Sequence, residues 1–497
     1  MGLMGSKERV LLLVGPQHVD ETRPVTAQVR RWLEHLSPLG IGIVATMLKE
    51  AGMEVSSQEM QPGKIYTLDE EIGQADLVVA SSRFYDSGMT REVIELAQKN
   101  QVPIVVGGYG PSLDPKSYSG AVVVRGEAEM ALPQVINDWR RGRLGEEYDT
   151  RGQLVDMSKN YVRPDRSIWP KRTGMGARWA RWPQEWERGC PNYCSYCSPI
   201  RVQRVGVRAR DVGDILGEID SDLEFASRFL FSTDLNTMAM ERERLLDLTN
   251  GLNKRGIRWF TEGTVSQLLA DLRVKGENDS LLWAMKARKN GGCWSFLYGA
   301  DDLGAEKVAG SKDKERHLIQ EAAEIFRRFK IPFNLSVVVG LDHHTYPDTF
   351  FTIASELEAS MVPYSFLHVA TPYEGTAWGD KAYREDRVFD NEPLHHNHRR
   401  VVHRPLGMTA EQLQQGYYWL LRELYSPKRV MEVARKNFDL ASWQEDPLLW
   451  LFLTGYFWGM ETYAAVKELE LRGRVDLPTQ RELTAGFEKW TKNGSGS

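Results

Sequence analysis

The sequence predicts an α/β protein in which a doubly wound parallel sheet precedes a partial (βα)6 barrel and a helical block. Three observations lead to this prediction. Short apolar runs of strand type alternate with amphipathic helical stretches through residue 143. Six further apolar runs, again separated by helical stretches, follow between residues 184 and 379. The remainder of the chain shows helical periodicity without strand-like runs.

The length supports several domains, because 497 residues exceed what one hydrophobic core organises. We predict four segments: a doubly wound domain at 1–143, a linker at 144–183, the barrel at 184–379 and a helical C-terminal domain at 380–497. The linker is predicted because it is rich in Arg, Pro, Gly and Trp and has no sustained period.

In the first domain, the patterns predict strands at 9–14, 75–81, 102–106 and 121–124, and helices at 39–51, 90–100 and 130–140. This alternation is typical of a flavodoxin-like sheet with helices on both faces. Ligands of such sheets bind outside the carboxyl ends of the strands. We therefore expect a ligand site at the strand ends that carry Gly15, Ser81, Gly107 and Gly108.

In the TIM-type barrel, apolar runs predict strands at 186–188, 228–232, 257–262, 293–298, 333–340 and 364–370. Barrel enzymes place functional groups at strand ends, so Asp234 and Glu262 are candidate catalytic residues. In the last block, Thr409 and Gln412 have the spacing of a capping box that begins a helix. The aromatic-rich C-terminal block mildly favours a hydrophobic small-molecule substrate, although the aromatic residues at 449–458 are more typical of a helix core than of a substrate wall.

Charge and hydropathy exclude several classes of protein. The net charge is −5 and no basic block occurs, so we expect no nucleic-acid partner. The most apolar stretch, 448–459, is too short for a transmembrane segment, which needs about 20 residues. The N-terminus does not resemble a signal peptide, and four cysteines are too few for a disulfide framework. We expect a cytoplasmic protein.

Three of the four cysteines form the motif C-x3-C-x2-C at Cys190, Cys194 and Cys197. Thiolates are the soft ligands that hold iron–sulfur clusters. Three of them bind three irons of a [4Fe–4S] cluster and leave the fourth iron open to another ligand. A structural zinc site is the alternative, but zinc needs four ligands and no second cysteine pair is present. We therefore predict an iron–sulfur cluster with an open iron.

This cysteine loop resembles the signature of the radical S-adenosylmethionine (SAM) family, with Tyr196 at the position that contacts the SAM adenine in that family. Further segments are similar in order along the chain. The resemblance implies that the strand end at Asp234 approaches the SAM amino group and that Gly340 lies beside the adenine. Asp301 stands where the family usually has a ribose-binding Glu.

The first domain adds a resemblance to a subfamily. Residues 36–55, 102–111 and 123–133 are similar to the cobalamin-binding domain that precedes some radical SAM barrels. The D-x-H-x-x-G motif, whose histidine binds cobalt, does not occur. The resemblance implies a cobalamin-dependent methyltransferase that acts on an unactivated carbon of a small molecule and takes electrons from a flavodoxin or ferredoxin. We expect no protein imidazole on the cobalt.

Three further interpretations stay open at this point. Cobalamin could serve a radical rearrangement or cyclisation, or the first domain could be vestigial in an enzyme that keeps only the radical chemistry. A non-catalytic cobalamin- or metal-binding module is the third interpretation. His343 and His344 follow a predicted barrel strand, and we interpret them as a solvated loop pair rather than a metal site.

Overall fold

The computed structural model describes residues 7–15, 38–169, 182–222, 228–286, 291–303, 318–437, 463–464 and 466–467. The chain divides into two compact units. The first comprises Met1–Met240, Pro372–Glu385 and Asp390–Asn397, and the second comprises Glu241–Thr371, Asp386–Phe389 and His398–Ser497. His18, which follows the first strand and is the only histidine near a strand end in the predicted first domain, lies outside the described residues, as do the aromatic residues at 449–458.

A six-stranded parallel sheet forms the N-terminal part of the first unit. Its strands are β1 (Arg9–Val14), β2 (Glu54–Glu59), β3 (Leu77–Ser81), β4 (Ile104–Gly107), β5 (Val122–Arg125) and β6 (Glu147–Asp149). Their order across the sheet is β2-β1-β3-β4-β5-β6. The strand order across the sheet therefore reverses between β1 and β3: β2 lies on one side of this boundary and β4 to β6 lie on the other. Strands β1 and β3 pair in parallel, with Val10 opposite Leu77 and Val14 opposite Ser81. The first five strands have the flavodoxin-like order, which confirms the predicted doubly wound domain.

Helices cover both faces of this sheet. They are α1 (Leu39–Glu50), α2 (Asp69–Gln74), α3 (Ser87–Lys99), α4 (Tyr109–Leu113) and α5 (Ala128–Arg140). One hydrophobic core joins α1 and α5 to Val10, Leu12 and Val79 of the sheet. The other joins α3 to Leu11, Leu13 and Val78. Successive strand residues thus face opposite cores, as the two-residue period of a strand requires.

The two edge strands were not predicted. In β2 (EVSSQE) no side chain is fully buried, so the strand lacks the apolar run by which the others were recognised. Strand β6 lies within the segment predicted as an irregular linker, and it pairs in parallel with β5. The segment is therefore not an irregular linker throughout, and Val155 and Met157 within it are also buried.

The cysteine loop of the first unit is framed by short strands. Strand β7 (Trp182–Gln184) pairs in parallel with β10 (Phe229–Ser232), and β8 (Glu187–Arg188) pairs antiparallel with β9 (Arg208–Ala209). Helices α6 (Pro199–Gln203) and α7 (Val212–Asp222) lie between them along the chain. The predicted barrel strand at 186–188 is wrong in position, because the parallel strand is β7.

The second unit contains four parallel strands in sequence order: β11 (Arg258–Gly263), β12 (Gly292–Asp301), β13 (Phe333–Val339) and β14 (Ser365–Val369). Its helices up to β14 are α8 (Arg242–Lys254), α9 (Ser266–Lys275), α10 (Leu281–Met285), α11 (Ile319–Arg328) and α12 (Asp348–Ser360). Helix α13 (Ala377–Arg384) belongs to the first unit, and α14 (Ala410–Leu424) and α15 (Pro427–Lys436) to the second. The alternation of strands and helices agrees with the predicted (βα) arrangement.

Among the described residues, none of the helices combines the length and apolar character that crossing a bilayer requires.

Candidate functional site

The cysteine loop begins where β8 ends. Gly189 has φ of +94°, and a Cβ at this position would overlap the carbonyl oxygen of Gly206, so only glycine fits the turn. Within the loop, the Cys197 N–H donates to the Cys194 carbonyl at 3.2 Å, and the Gly206 N–H donates to the Cys190 carbonyl at 3.1 Å. None of the three cysteines forms a disulfide, and all three are partly buried, as is Tyr196 between them. The loop therefore offers three soft sulfur ligands from one tight turn.

Asp234, just beyond the end of β10, supports the approach to this loop. Its carboxylate accepts the backbone N–H groups of Trp186 (2.8 Å) and Glu187 (3.1 Å) and the hydroxyl of Thr237 (3.0 Å). These bonds occupy the two N–H groups that a barrel strand at 186–188 would have used. Burial raises the pKa of Asp234 to about 7, although the backbone bonds lower it. A contact of Asp234 with SAM or substrate stays a prediction.

The second unit holds the other three residues proposed for SAM or catalysis. Glu262 is partly buried near the end of β11, and the backbone of Asp301 ends β12. Gly340 follows β13 with φ of +93°. Its N–H donates to Nδ1 of His344 at 3.0 Å, and Nε2 of His403 lies 3.3 Å from its carbonyl oxygen. Gly340 is thus held on both sides of its backbone.

Asp302, His343 and His344 form a cluster that the sequence did not predict. The Asp302 carboxylate lies 2.8 Å from Nε2 of His343 and 2.9 Å from Nε2 of His344. His344 is fully buried, so the interpretation of both histidines as a solvated pair is wrong. Because Nδ1 of His344 accepts the Gly340 N–H, its Nε2 carries the proton and donates to Asp302. His344 then has no free lone pair for a metal ion, although the three groups lie within 4.8 Å of one another.

A cavity of about 400 Å³ opens within the first unit at the carboxyl ends of β3, β4 and β5. Three of the predicted strand-end residues, Ser81, Gly107 and Gly108, line it, and α1 and α5 supply apolar walls. Gly108 has φ of +109°, and a Cβ there would lie 2.7 Å from the Ser82 carbonyl oxygen. The fourth predicted residue, Gly15, does not line the cavity and lies against the buried carboxylate of Asp86.

A charged cluster, also unpredicted, forms part of the cavity wall. The buried Arg188 guanidinium contacts three carboxylates: Glu129 at 2.7 Å, Glu185 at 2.9 Å and Glu127 at 3.5 Å. Burial alone would raise the pKa of Glu127, but Arg208 and Arg188 outweigh it and lower the pKa. Ligands of such sheets bind beyond the carboxyl ends of the strands, and Glu127 and Glu129 lie within four residues of the end of β5. Their position in the sequence could therefore have indicated them.

Together these features describe an α/β protein with a cavity at the strand ends and, in the same unit, a loop of three thiols. The family of B12 binding domains matches residues 29–136, which include the predicted glycine pair and Ser81. The chain therefore carries a B12-binding domain.

Two curated proteins are similar along most of the chain. Bacteriochlorophyllide d C-12(1)-methyltransferase of Chlorobaculum tepidum is 21% identical over 87% of this chain and 90% of its own length. Hopanoid C-3 methylase of Methylococcus capsulatus is 22% identical over 71% of each chain.

The fold is similar to that of the radical SAM methyltransferase TsrM from Kitasatospora setae. In its structure with cobalamin and a [4Fe–4S] cluster, the TM-score is 0.54 at 17% identity, over 76% of this chain and 75% of that one. In its structure with tryptophan and a SAM analogue, the TM-score is 0.55 over 76% of both chains. The predicted resemblance to cobalamin-dependent radical SAM methyltransferases and the predicted fold class are confirmed.

Proposed function

We propose that this protein uses a [4Fe–4S] cluster, SAM and cobalamin to methylate an unactivated carbon of a small-molecule substrate. The cavity in the first unit carries the proposal. Its wall combines the strand ends of the B12-binding domain with Arg188 and Gln203, which flank the cysteine loop on either side in sequence. A cobalamin in this cavity and a cluster on this loop would therefore be neighbours within one unit.

The described residues suit these cofactors. Glycines at the ends of β4 and β5 let a ligand approach the backbone, and the apolar walls suit a large organic group. Cys190, Cys194 and Cys197 would hold the cluster. When bound, the cluster with SAM supplies hydrogen-atom abstraction, and cobalamin supplies methyl transfer. The chain contributes orientation and the exclusion of water.

The remaining roles are proposed from the resemblance. Tyr196, Asp301 and Gly340 would contact SAM, and Asp234 or Glu262 would contact SAM or the substrate. Asp234 would do so while it holds the backbone before the cysteine loop. Ser81, Gly107 and Gly108 would line the cobalamin site. We propose the four-part division only in outline, since β6 (Glu147–Asp149) pairs with β5 and residues 183 and 379 lie within β7 and α13.

The substrate, the electron donor and the location are proposed at the level of class. A chlorophyll-type pigment and a hopanoid give two similar proteins their names, and both are hydrophobic small molecules. TsrM has been seen with tryptophan, also a small molecule. A flavodoxin or ferredoxin would reduce the cluster. None of the four cysteines, all among the described residues, forms a disulfide, which suits a reducing cytoplasm.

Metabolite comparison tests this proposal. Cells that express the gene, the gene with Cys194→Ala, or no copy are grown with methionine that carries a deuterated methyl group. We expect a small molecule in the first culture alone that has gained one labelled methyl group. If its product is instead an isomer without added mass, a radical rearrangement or cyclisation replaces methylation.

A vestigial first domain and a non-catalytic module would each give a different result with purified protein. A vestigial first domain predicts SAM cleavage by protein that takes up no corrinoid. A non-catalytic module predicts corrinoid or metal uptake without any SAM cleavage. The cavity at the strand ends and the three-cysteine loop favour methylation over both, since each supplies one of the two cofactor sites that the reaction needs.

A further inference from the structure

Tyr109 directly follows the glycine pair after β4, and its side chain lines the cavity. The side-chain amide of Gln203 donates a hydrogen bond of 2.8 Å to the Tyr109 phenol oxygen. Gln203 in turn accepts the backbone N–H of Gly189 on its Oε1 at 3.0 Å. This chain of two hydrogen bonds runs from the cavity wall to the residue before Cys190.

The Gly189 N–H fixes the direction of both bonds. Only an oxygen can accept it, so the Gln203 Oε1 faces Gly189 and the Nε2 faces Tyr109. The phenol oxygen is therefore an acceptor in this chain, and its own proton points elsewhere. Among the described residues, no group accepts that proton. Burial also raises the pKa of Tyr109, so the phenol keeps its proton at physiological pH.

The other polar groups of the same wall differ from Tyr109. Arg188 is saturated by Glu127, Glu129 and Glu185, and those carboxylates are acceptors that are already engaged.

Tyr109 is a neutral donor on a wall whose other neutral polar side chains are Ser81, Gln203 and Thr233. Of these, Thr233 already donates to the Gln184 carbonyl and Gln203 donates to Tyr109 itself. A neutral donor without an acceptor suits a ligand with carbonyl oxygens, because an unsatisfied buried hydroxyl costs stability.

We propose that Tyr109 donates its phenol proton to an amide carbonyl at the rim of cobalamin, with Gln203 as the residue that positions it. This inference rests on the proposed function. The corrin ring is bordered by amide side chains, which supply such carbonyl oxygens at its edge. The same Gln203 amide holds the backbone before Cys190, so one side chain orders both the cobalamin donor and the start of the cluster loop.

Titration of the full-length, anaerobically prepared protein with hydroxocobalamin tests the inference. Tyr109→Phe removes only the hydroxyl, and we expect affinity to fall about fivefold, as for one neutral hydrogen bond. Tyr66→Phe, at a residue that is 71% exposed, is the matched control and should bind like the wild type. The spectrum of the reduced cluster should not change, because Gln203 still accepts the Gly189 N–H. The melting temperature of the cobalamin-free protein should fall slightly, because the Gln203 amide loses its phenol acceptor.

The variant Gln203→Glu provides a second test of the inference. The glutamate still accepts the Gly189 N–H, but it also accepts the Tyr109 proton and so takes it from the ligand. Affinity should fall as in Tyr109→Phe, and the double variant should lose no more than either single one. Wild-type affinity in Tyr109→Phe would overturn the inference while leaving the proposed function intact. Failure of the wild type to bind hydroxocobalamin would instead overturn the proposed function itself.

Discussion

Gly340 shows how a single residue shapes the second unit. Its φ of +93° lies in the region that glycine tolerates, and a Cβ would meet the Leu413 side chain of α14. We predict that Gly340→Ala lowers the free energy of unfolding by about 1–3 kcal/mol. Gly88→Ala is the control, because a Cβ at that helical position would meet only one atom, 3.9 Å away. Chemical denaturation of both variants measures the difference, and equal stability would contradict the account.

His344 links the carboxyl ends of β12 and β13 through Asp302 and Gly340. Replacement by Ala leaves the Gly340 N–H and the Asp302 carboxylate without this partner, so we expect a loss of about 3 kcal/mol. His344→Asn can keep an acceptor for Gly340, and His344→Gln can keep a donor for Asp302. In urea denaturation, both variants should lose less free energy of unfolding than His344→Ala does. An Ala variant as stable as these two would show that neither hydrogen bond matters.

The same pair predicts a pH dependence. Burial lowers the pKa of His344 below its ordinary value of 6.5, and the bonds from His343 and His344 outweigh burial and lower the pKa of Asp302. Because both pKa values are lower in the folded chain, the unfolded chain binds more protons than the folded chain as pH falls. The free energy of unfolding therefore decreases at low pH. The His344 contribution is complete above about pH 6.5 and declines below it. Stability should fall less steeply between pH 6.5 and 5 in His344→Asn than in the wild type.

At the scale of elements, α14 begins with a capping box that the sequence predicted. The Thr409 hydroxyl accepts the Gln412 N–H at 3.1 Å, and the Gln412 side chain accepts the Thr409 N–H at 2.9 Å. We predict that Thr409→Ala destabilises the protein by about 1 kcal/mol, while Thr409→Ser stays within a few tenths of the wild type. Thermal melting of the two variants separates these outcomes. Equal losses would indicate that the methyl group, not the hydroxyl, supports the helix.

Elements with buried apolar residues could be predicted from the sequence, and those without them could not. Strands β1, β3, β4 and β5 were recognised because most of their residues are apolar and buried. Strand β2 was missed because half of its side chains are exposed at the sheet edge. The sequence predicted a barrel strand at 186–188 in place of β7, and at this point the backbone N–H groups of Trp186 and Glu187 instead bind Asp234, which is distant in sequence.

The candidate site follows the same division at the scale of the whole molecule. The cysteine spacing and the glycine pair are local patterns, so both could be predicted from the sequence alone. Their position after β5 could have indicated Glu127 and Glu129, but not their pairing with Arg188 or the Tyr109–Gln203 bond, since these contacts join residues about 60 to 90 positions apart. The same long-range bonds make truncation at residue 143 a poor test of cofactor binding. It would leave Arg188 buried without Glu127 and Glu129.

Cofactor content of the intact chain is the most direct measurement of the central claim. Protein reconstituted anaerobically with iron, sulfide and hydroxocobalamin should carry about four irons and one corrinoid per chain, because one unit holds both the cysteine loop and the cavity. Cys194→Ala should lose the cluster and keep the corrinoid. Zinc at one ion per chain, with neither iron nor corrinoid, would contradict the account.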